Sequence, residues 1–391
     1  MSRKVLLILS IPLVLGLLVG LFLVFTGSKS APLSVQSIEN LFGLDESVIQ
    51  KSLSTTSSFE LSFLERTEPK ALVVFEGRDA ATKITASGAT SGNAESDTRC
   101  SLENQRIAYY TVAAGVILND AKLLDTGLKA YEWGYGKQAS DGSFPCERKG
   151  DSKPVKYEHI HPLSFFVESS ARSVLLIRES NVDESFKRRA EALVPKIYFA
   201  GKAFNNPKNL DDFFTNGKDT NMLTTAALAI HQAGVLGNDA ELQSVAKGLF
   251  ERILARQMID GTFPEKKGFD SSYQTVSLEY LIRYASMLPE GDWKNTVSKG
   301  IAKGVEKELT VIRADGTIDT SSNTRTGACG LSVPGAVPKG KSYDIIPLRL
   351  YYYGHLSGQY DTYAPIAAKV QFVGQGFDHK EDCKEDEESP N

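Results

Sequence analysis

Cysteine is scarce, four residues in 391, and basic charge is not in excess. A chain of this length with so few cysteines is no disulfide-stapled miniprotein, and it can bury one large core or two ordinary ones. Its 44 lysines and arginines face 48 acids. Since nucleic-acid binders draw much of their affinity from neutralising phosphates, no nucleic-acid partner is expected. Also missing are a Gly-rich phosphate loop, a P-loop lysine motif, a Gly-x-Ser-x-Gly elbow and a Cys-x-x-Cys pair, so nucleotide chemistry recedes and no cofactor is expected. What is present is a globular composition, 41% hydrophobic and 24% charged. The net charge of -4 is uneven: positions 378–388 carry seven acids and two lysines, leaving 42 basic against 41 acidic residues elsewhere. This acidic tail, 378–391, should be disordered and solvated.

Residues 5–26 read VLLILSIPLVLGLLVGLFLVFT, 22 positions without a charge. As a helix they reach roughly 33 Å, enough to cross a hydrocarbon core of about 30 Å. A retained membrane anchor over 1–30 is the favoured reading, and a signal peptide cleaved near Ser28-Lys29-Ser30 is the alternative. Arg3 and Lys4 before the span keep the N-terminus cytoplasmic and send the rest of the chain outside, to a periplasmic or extracellular location. Outside the cytoplasm the cysteines can oxidise; of the three pairings four thiols allow, Cys100 with Cys146 is preferred.

Segment 31–99 reads as a small α+β unit and linker, with a helix over 35–53 and short strands at 59–64, 71–75 and 82–85. From residue 100 to 377 the pattern is helical, ten helices in five pairs: 102–118 with 121–137, 159–179 with 184–203, 220–234 with 239–258, 272–288 with 293–312, and 343–357 with 361–373. Second helices are amphipathic, as Ile301, Val305, Leu309 and Ile312 illustrate, whereas first helices are apolar around most of their circumference. Turns within pairs are short. The connections between pairs, 139–158, 204–219, 259–271 and 313–342, are long and must gather at one end, where function usually concentrates.

Three second helices are followed by related phrases, DGSFP at 141–145, DGTFP at 260–264 and DGTID at 315–319. Gly accepts positive φ, Asp can bond its own backbone, and the Phe can plug the gap between hairpins; a purely structural turn explains the phrase. Repeated hairpins carrying DGSFP and DGTFP resemble the α/α toroids of polysaccharide lyases and uronyl hydrolases. The resemblance covers about residues 100–375 and implies an all-α domain, an α/α toroid of about five hairpins forming an incomplete barrel. Similar Asp-Gly turns occur in terpenoid-cyclase toroids, but the aspartate-rich diphosphate signature of that group is absent.

The long loops are rich in lysine, among them Lys149, Lys156, Lys266 and Lys267, and a mouth lined by one sign of charge concentrates an oppositely charged guest. An acidic polysaccharide is the expected partner. The same rim receives the N-termini of the first helices, where unpaired N–H groups favour a carboxylate. β-Elimination at a uronate needs the carboxylate neutralised, the C5 proton removed and the leaving oxygen protonated. Resemblance to the lyases suggests Tyr273 as base or acid, His161 as its partner and Asn221 with Arg325 on the carboxylate; Tyr343 joins the lysines as a substrate contact. Asp219 and Asp344 are the carboxylates a hydrolase would need, though Asp219 also suits a helix N-cap. His159-x-His161 has no third ligand at metal spacing, so no metal is expected. A uronyl hydrolase or epimerase on the same scaffold, or a non-catalytic envelope protein that holds a glycan or a protein, are the alternatives.

Overall fold

A computed structural model describes residues 70–90, 99–144, 160–216, 219–265, 268–324 and 341–375. Among these, 12 α-helices and no strand are found, so the described fold is all-α. In chain order they are α1 (Lys70–Thr82), α2 (Ala108–Leu118), α3 (Ala121–Tyr135), α4 (Ile160–Glu179), α5 (Glu184–Phe204), α6 (Pro207–Asn216), α7 (Thr220–Leu236), α8 (Ala240–Ala255), α9 (Ser271–Met287), α10 (Asp292–Leu309), α11 (Lys341–Leu356) and α12 (Tyr360–Gln375). A 3-10 helix, Arg99–Ile107, leads into α2. The five expected pairs are α2/α3, α4/α5, α7/α8, α9/α10 and α11/α12. Two helices are additional, α6 in a connection read as loop and α1 where a strand was expected.

The reading of 71–75 as a strand is corrected. Its apolar run, with Val73 and Val74, suits a strand locally, but Val73, Val74, Gly77 and Ala80 form a buried helical face. That face packs on α2 so closely that a Cβ at Gly77 would lie 2.3 Å from the Tyr110 carbonyl oxygen. Instead of a strand at 82–85, Ile84 makes one isolated bridge to Thr90. The expected helix at 35–53, the strand at 59–64, the anchor and the acidic tail lie outside the described residues.

Caps explain the sharp hairpin turns. Asn119 and Asn238 adopt left-handed φ of 49° and 52°, ending α2 and α7. The next residues, Asp120 and Asp239, then accept from first-turn N–H groups of α3 and α8, at 2.8 Å to Lys122 and 2.9 Å to Leu242. First helices are buried nearly all round, as in α7, while α5 buries only the stripe of Ala190, Leu193, Ile197, Ala200, Gly201 and Phe204. The first helices pack in order, α2 on α4, α4 on α7, α7 on α9 and α9 on α11.

The Asp-Gly phrase is one turn used four times. Residues 85–89, 139–143, 258–262 and 313–317 each close with the same two backbone bonds, for example Met258 N–H to Thr262 O at 2.9 Å and Gly261 N–H to Met258 O at 3.0 Å. The glycines have φ of 95°, 87°, 92° and 88°. A Cβ at Gly88, Gly142 or Gly261 would lie 2.2, 2.2 or 2.1 Å from the carbonyl oxygen of Lys129, Phe199 or Lys303, each on the second helix of the next hairpin. Asp141, Asp260 and Asp315 each accept from the N–H two residues on. The first copy, Thr85-Ala86-Ser87-Gly88-Ala89, lacks the Asp and was invisible as a repeat.

A glutamine locks two of these turns. Gln274 Oε1 accepts from Phe263 N–H at 2.8 Å, and its amide donates to Gly261 O and Gly304 O, both at 3.1 Å. Gln105 does the same with Thr90 N–H at 2.7 Å and with Gly88 O and Ala130 O, both at 2.8 Å. Phe144 and Phe263, two positions after their glycines, are buried.

Candidate functional site

Tyr273 and Asn221 occupy the first turns of the adjacent helices α9 and α7. Tyr273 is half-buried, with its N–H donating to the Asp270 cap at 3.2 Å. Asn221 is buried, and its N–H donates to Glu265 Oε1 at 2.8 Å. Asp219, expected to cap α7, makes no side-chain cap bond; Glu265 supplies that acceptor from the neighbouring connection. Thr220 donates to Pro264 O through its N–H and its hydroxyl, at 3.3 and 2.7 Å. On the other side Thr324 N–H bonds Phe269 O at 3.0 Å, and Asn323 exchanges bonds with Ser271. The described parts of three rim segments, 219–221, 262–265 with 268–271, and 320–324, are thus clasped together.

The backbones of His161 and Tyr343 lie in the first turns of α4 and α11. Position 161 falls seven residues before Glu168, on nearly the same helical face, whereas 343 is about 120° away from the face of Arg349. The His161 and Tyr343 side chains, Arg325, Lys149, Lys156, Lys266, Lys267 and the proposed Cys100–Cys146 bridge lie outside the described residues.

Below the rim, all five first helices send polar groups into one cluster. Glu279 of α9 is its hub: Arg172 Nη1 of α4 lies 3.4 Å from its Oε1, Arg283 Nε of α9 lies 3.3 Å from the same oxygen, and Arg349 of α11 pairs with Oε2. Arg172 Nε is also 3.5 Å from Glu168 Oε1. Arg283 donates to the Tyr352 hydroxyl of α11 at 2.8 Å. On α2, the Tyr109 ring carries the Arg172 guanidinium at 3.5 Å and lies 5.8 Å from that of Arg283. Gln232 of α7 reaches toward Glu168, though neither end of its amide meets hydrogen-bond geometry among the described residues. The Tyr109 ring thus brings α2 to the same cluster as α4, α9 and α11.

Three guanidiniums face two carboxyls at this centre. Burial works to raise the Glu279 pKa, but Arg349, Arg283 and Arg172 outweigh it and hold the group below its ordinary value. For Glu168 burial wins over Arg172 and Arg283, and its pKa is raised. Positive charge therefore exceeds negative in a site removed from water, where an uncompensated charge is strongly felt. Arg283 is fully enclosed, but Phe165, Tyr280 and Arg349 keep 7%, 7% and 8% of their surface exposed. The exposed Arg106 sits 4.8 Å over the Phe165 ring, which meets Tyr280 edge-on at 6.1 Å. Arg106, Phe165 and Tyr280 thus form a seam of contacts leading toward the arginines. Tyr273 heads the same helical stripe as Tyr280, seven residues and roughly 10 Å nearer the rim.

Sequence reasoning looked for positive charge in lysine loops and missed these arginines. Their signal was present as Glu168/Arg172 and Glu279/Arg283, i,i+4 pairs that are the only Asp, Glu, Lys or Arg residues of α9 and of positions 160–177 in α4. No group of three or more His, Cys, Asp or Glu side chains that could hold a metal occurs among the described residues. Compared with known proteins, the chain matches no family model, no curated protein and no solved structure.

Proposed function

We propose that this protein is a membrane-anchored, outward-facing α/α toroid that binds an acidic polysaccharide at the rim and seam of its first helices and cleaves it by β-elimination. One observation carries the reading: three guanidiniums, from the first helices α4, α9 and α11, converge on Glu279 below the rim and outnumber the carboxyls there. A chain of uronates is a guest that such a field would draw in. In this scheme Tyr273 removes the C5 proton, the C4–O bond breaks as the C4–C5 double bond forms, and His161 protonates the leaving oxygen. Asn221 and Arg325 neutralise the carboxylate, and the lysine loops with Tyr343 hold the flanking sugars.

The test is incubation of the protein with a panel of acidic glycans while following the ultraviolet absorbance of the unsaturated uronate. Its appearance, and its loss in Tyr273→Phe with binding retained, is expected. Reducing ends without that absorbance, or no binding of any acidic glycan, would sink the proposal. A second reading, glycan holding without turnover, draws on the same cluster, since both of its carboxyls are paired with arginines and neither stands free as an acid or a base.

A further inference from the structure

Away from the arginine cluster the fold buries a carboxyl that no described residue holds. Glu308, in the last turn of α10, is fully buried, and neither of its oxygens has a hydrogen-bond partner among the described residues. Helices α9 and α10 run antiparallel: Trp293 Nε1 meets the Tyr284 hydroxyl at 2.9 Å near one end, and Gln274 meets Gly304 O at 3.1 Å toward the other. One helical turn beyond that second contact, toward the rim, stand Asp270 and Glu308. Asp270 is itself fully buried and caps α9 through Tyr273 N–H. The charged groups that face Glu308 are Asp270, across the helix interface, and Lys307 beside it on α10. The Lys307 ammonium is engaged elsewhere, 3.0 Å from Asp260 Oδ2 and 5.0 Å over the Phe269 ring. Burial, then the charge of Asp270, moves the Glu308 pKa well above the ordinary carboxyl range, and Lys307 offsets only part of this.

The connection that contains Asp270 is the one clasped to both neighbouring rim segments. We propose that Glu308 is a proton-operated latch for this rim. While its carboxyl is uncharged, the Asp270 cap and the clasped connections stay closed; release of its proton to solvent sets two buried negative charges beside each other and opens the clasp. This inference is independent of what the seam binds.

Amide hydrogen exchange of the full-length protein, corrected for intrinsic pH dependence and followed from about pH 6 to about pH 10, reads the latch directly. Opening of 262–265, 268–274 and 320–324 should rise by up to about tenfold per pH unit above the onset in the wild type, while the middle of α7 stays unchanged. In Glu308→Gln the pH dependence should disappear. An equal rise in that variant overturns the proposal. So does suppression of the wild-type rise by added calcium, which would mark a cation site instead. Should Glu308→Gln not fold, Asp270→Asn keeps a competent cap and removes the like charge, so its onset should move to higher pH. An unmoved onset again overturns the idea.

Discussion

Gly261 shows how much one hydrogen in place of a side chain can decide. Its φ is 92°, and the Lys303 carbonyl oxygen occupies the space a methyl group would need, 2.1 Å from the Cβ position. Gly261→Ala must therefore strain the turn and push α10 away, and we expect a loss of about 2–4 kcal/mol, measured by denaturant unfolding. His231 makes the opposite kind of point. Burial in α7, against the Tyr284 ring at 4.9 Å, holds its pKa down at about 4, and neither ring nitrogen has a partner among the described residues. The unfolded chain binds this proton more readily, so stability should fall as pH drops from about 6.5 toward 4, by at most about 3 kcal/mol. His231→Phe should remove that slope from acid-unfolding curves; an unchanged slope would assign the acid sensitivity to other groups.

At the scale of elements, the glutamine locks predict matched behaviour at two distant places. Gln105→Ala and Gln274→Ala each delete three buried hydrogen bonds made to the same backbone positions of equivalent turns. Each should cost about 2–4 kcal/mol, and the two costs should agree more closely than those of unrelated buried polar residues. The five hairpins were legible in the sequence because inner and outer helices have different patterns: enclosed α7 carries no Asp, Glu, Lys or Arg on any face, and α5 shows one apolar stripe. Helix α1 was not legible. Its short run of Val73, Val74 and Phe75 favours a strand locally, and only contact with α2 decides otherwise. The fourth turn was hidden for a related reason. What the joint requires is a glycine at positive φ, and Asp, the more visible letter, is dispensable at Ser87-Gly88. For the candidate site, sequence could place Tyr273 and Asn221 at helix starts, since caps and periodicity mark those ends. It could not show that α4 and α11 both reach Glu279 of α9, which is what brings the arginines together.

For the molecule as a whole, Glu279 is the point on which the first helices depend. Glu279→Gln leaves three buried guanidiniums against Glu168 alone, and we expect a loss of about 3–5 kcal/mol or failure to fold, read by thermal unfolding. Because the folded pKa of Glu279 lies below its ordinary value, the stability it contributes is present above that value and lost as pH falls through the depressed one. Glu308 has the reverse dependence, its contribution fading as pH rises. The fold is therefore squeezed from both sides of the pH scale, by its centre in acid and by its rim in base. The four glycine turns add a different property. Where Gly88, Gly142 and Gly261 press on the next hairpin, they abut main-chain oxygens, an atom type every amino acid supplies. Outward-pointing side chains on those helices can thus be exchanged freely while the spacing between hairpins is kept, so the protein can be re-dressed for new surroundings without being rebuilt.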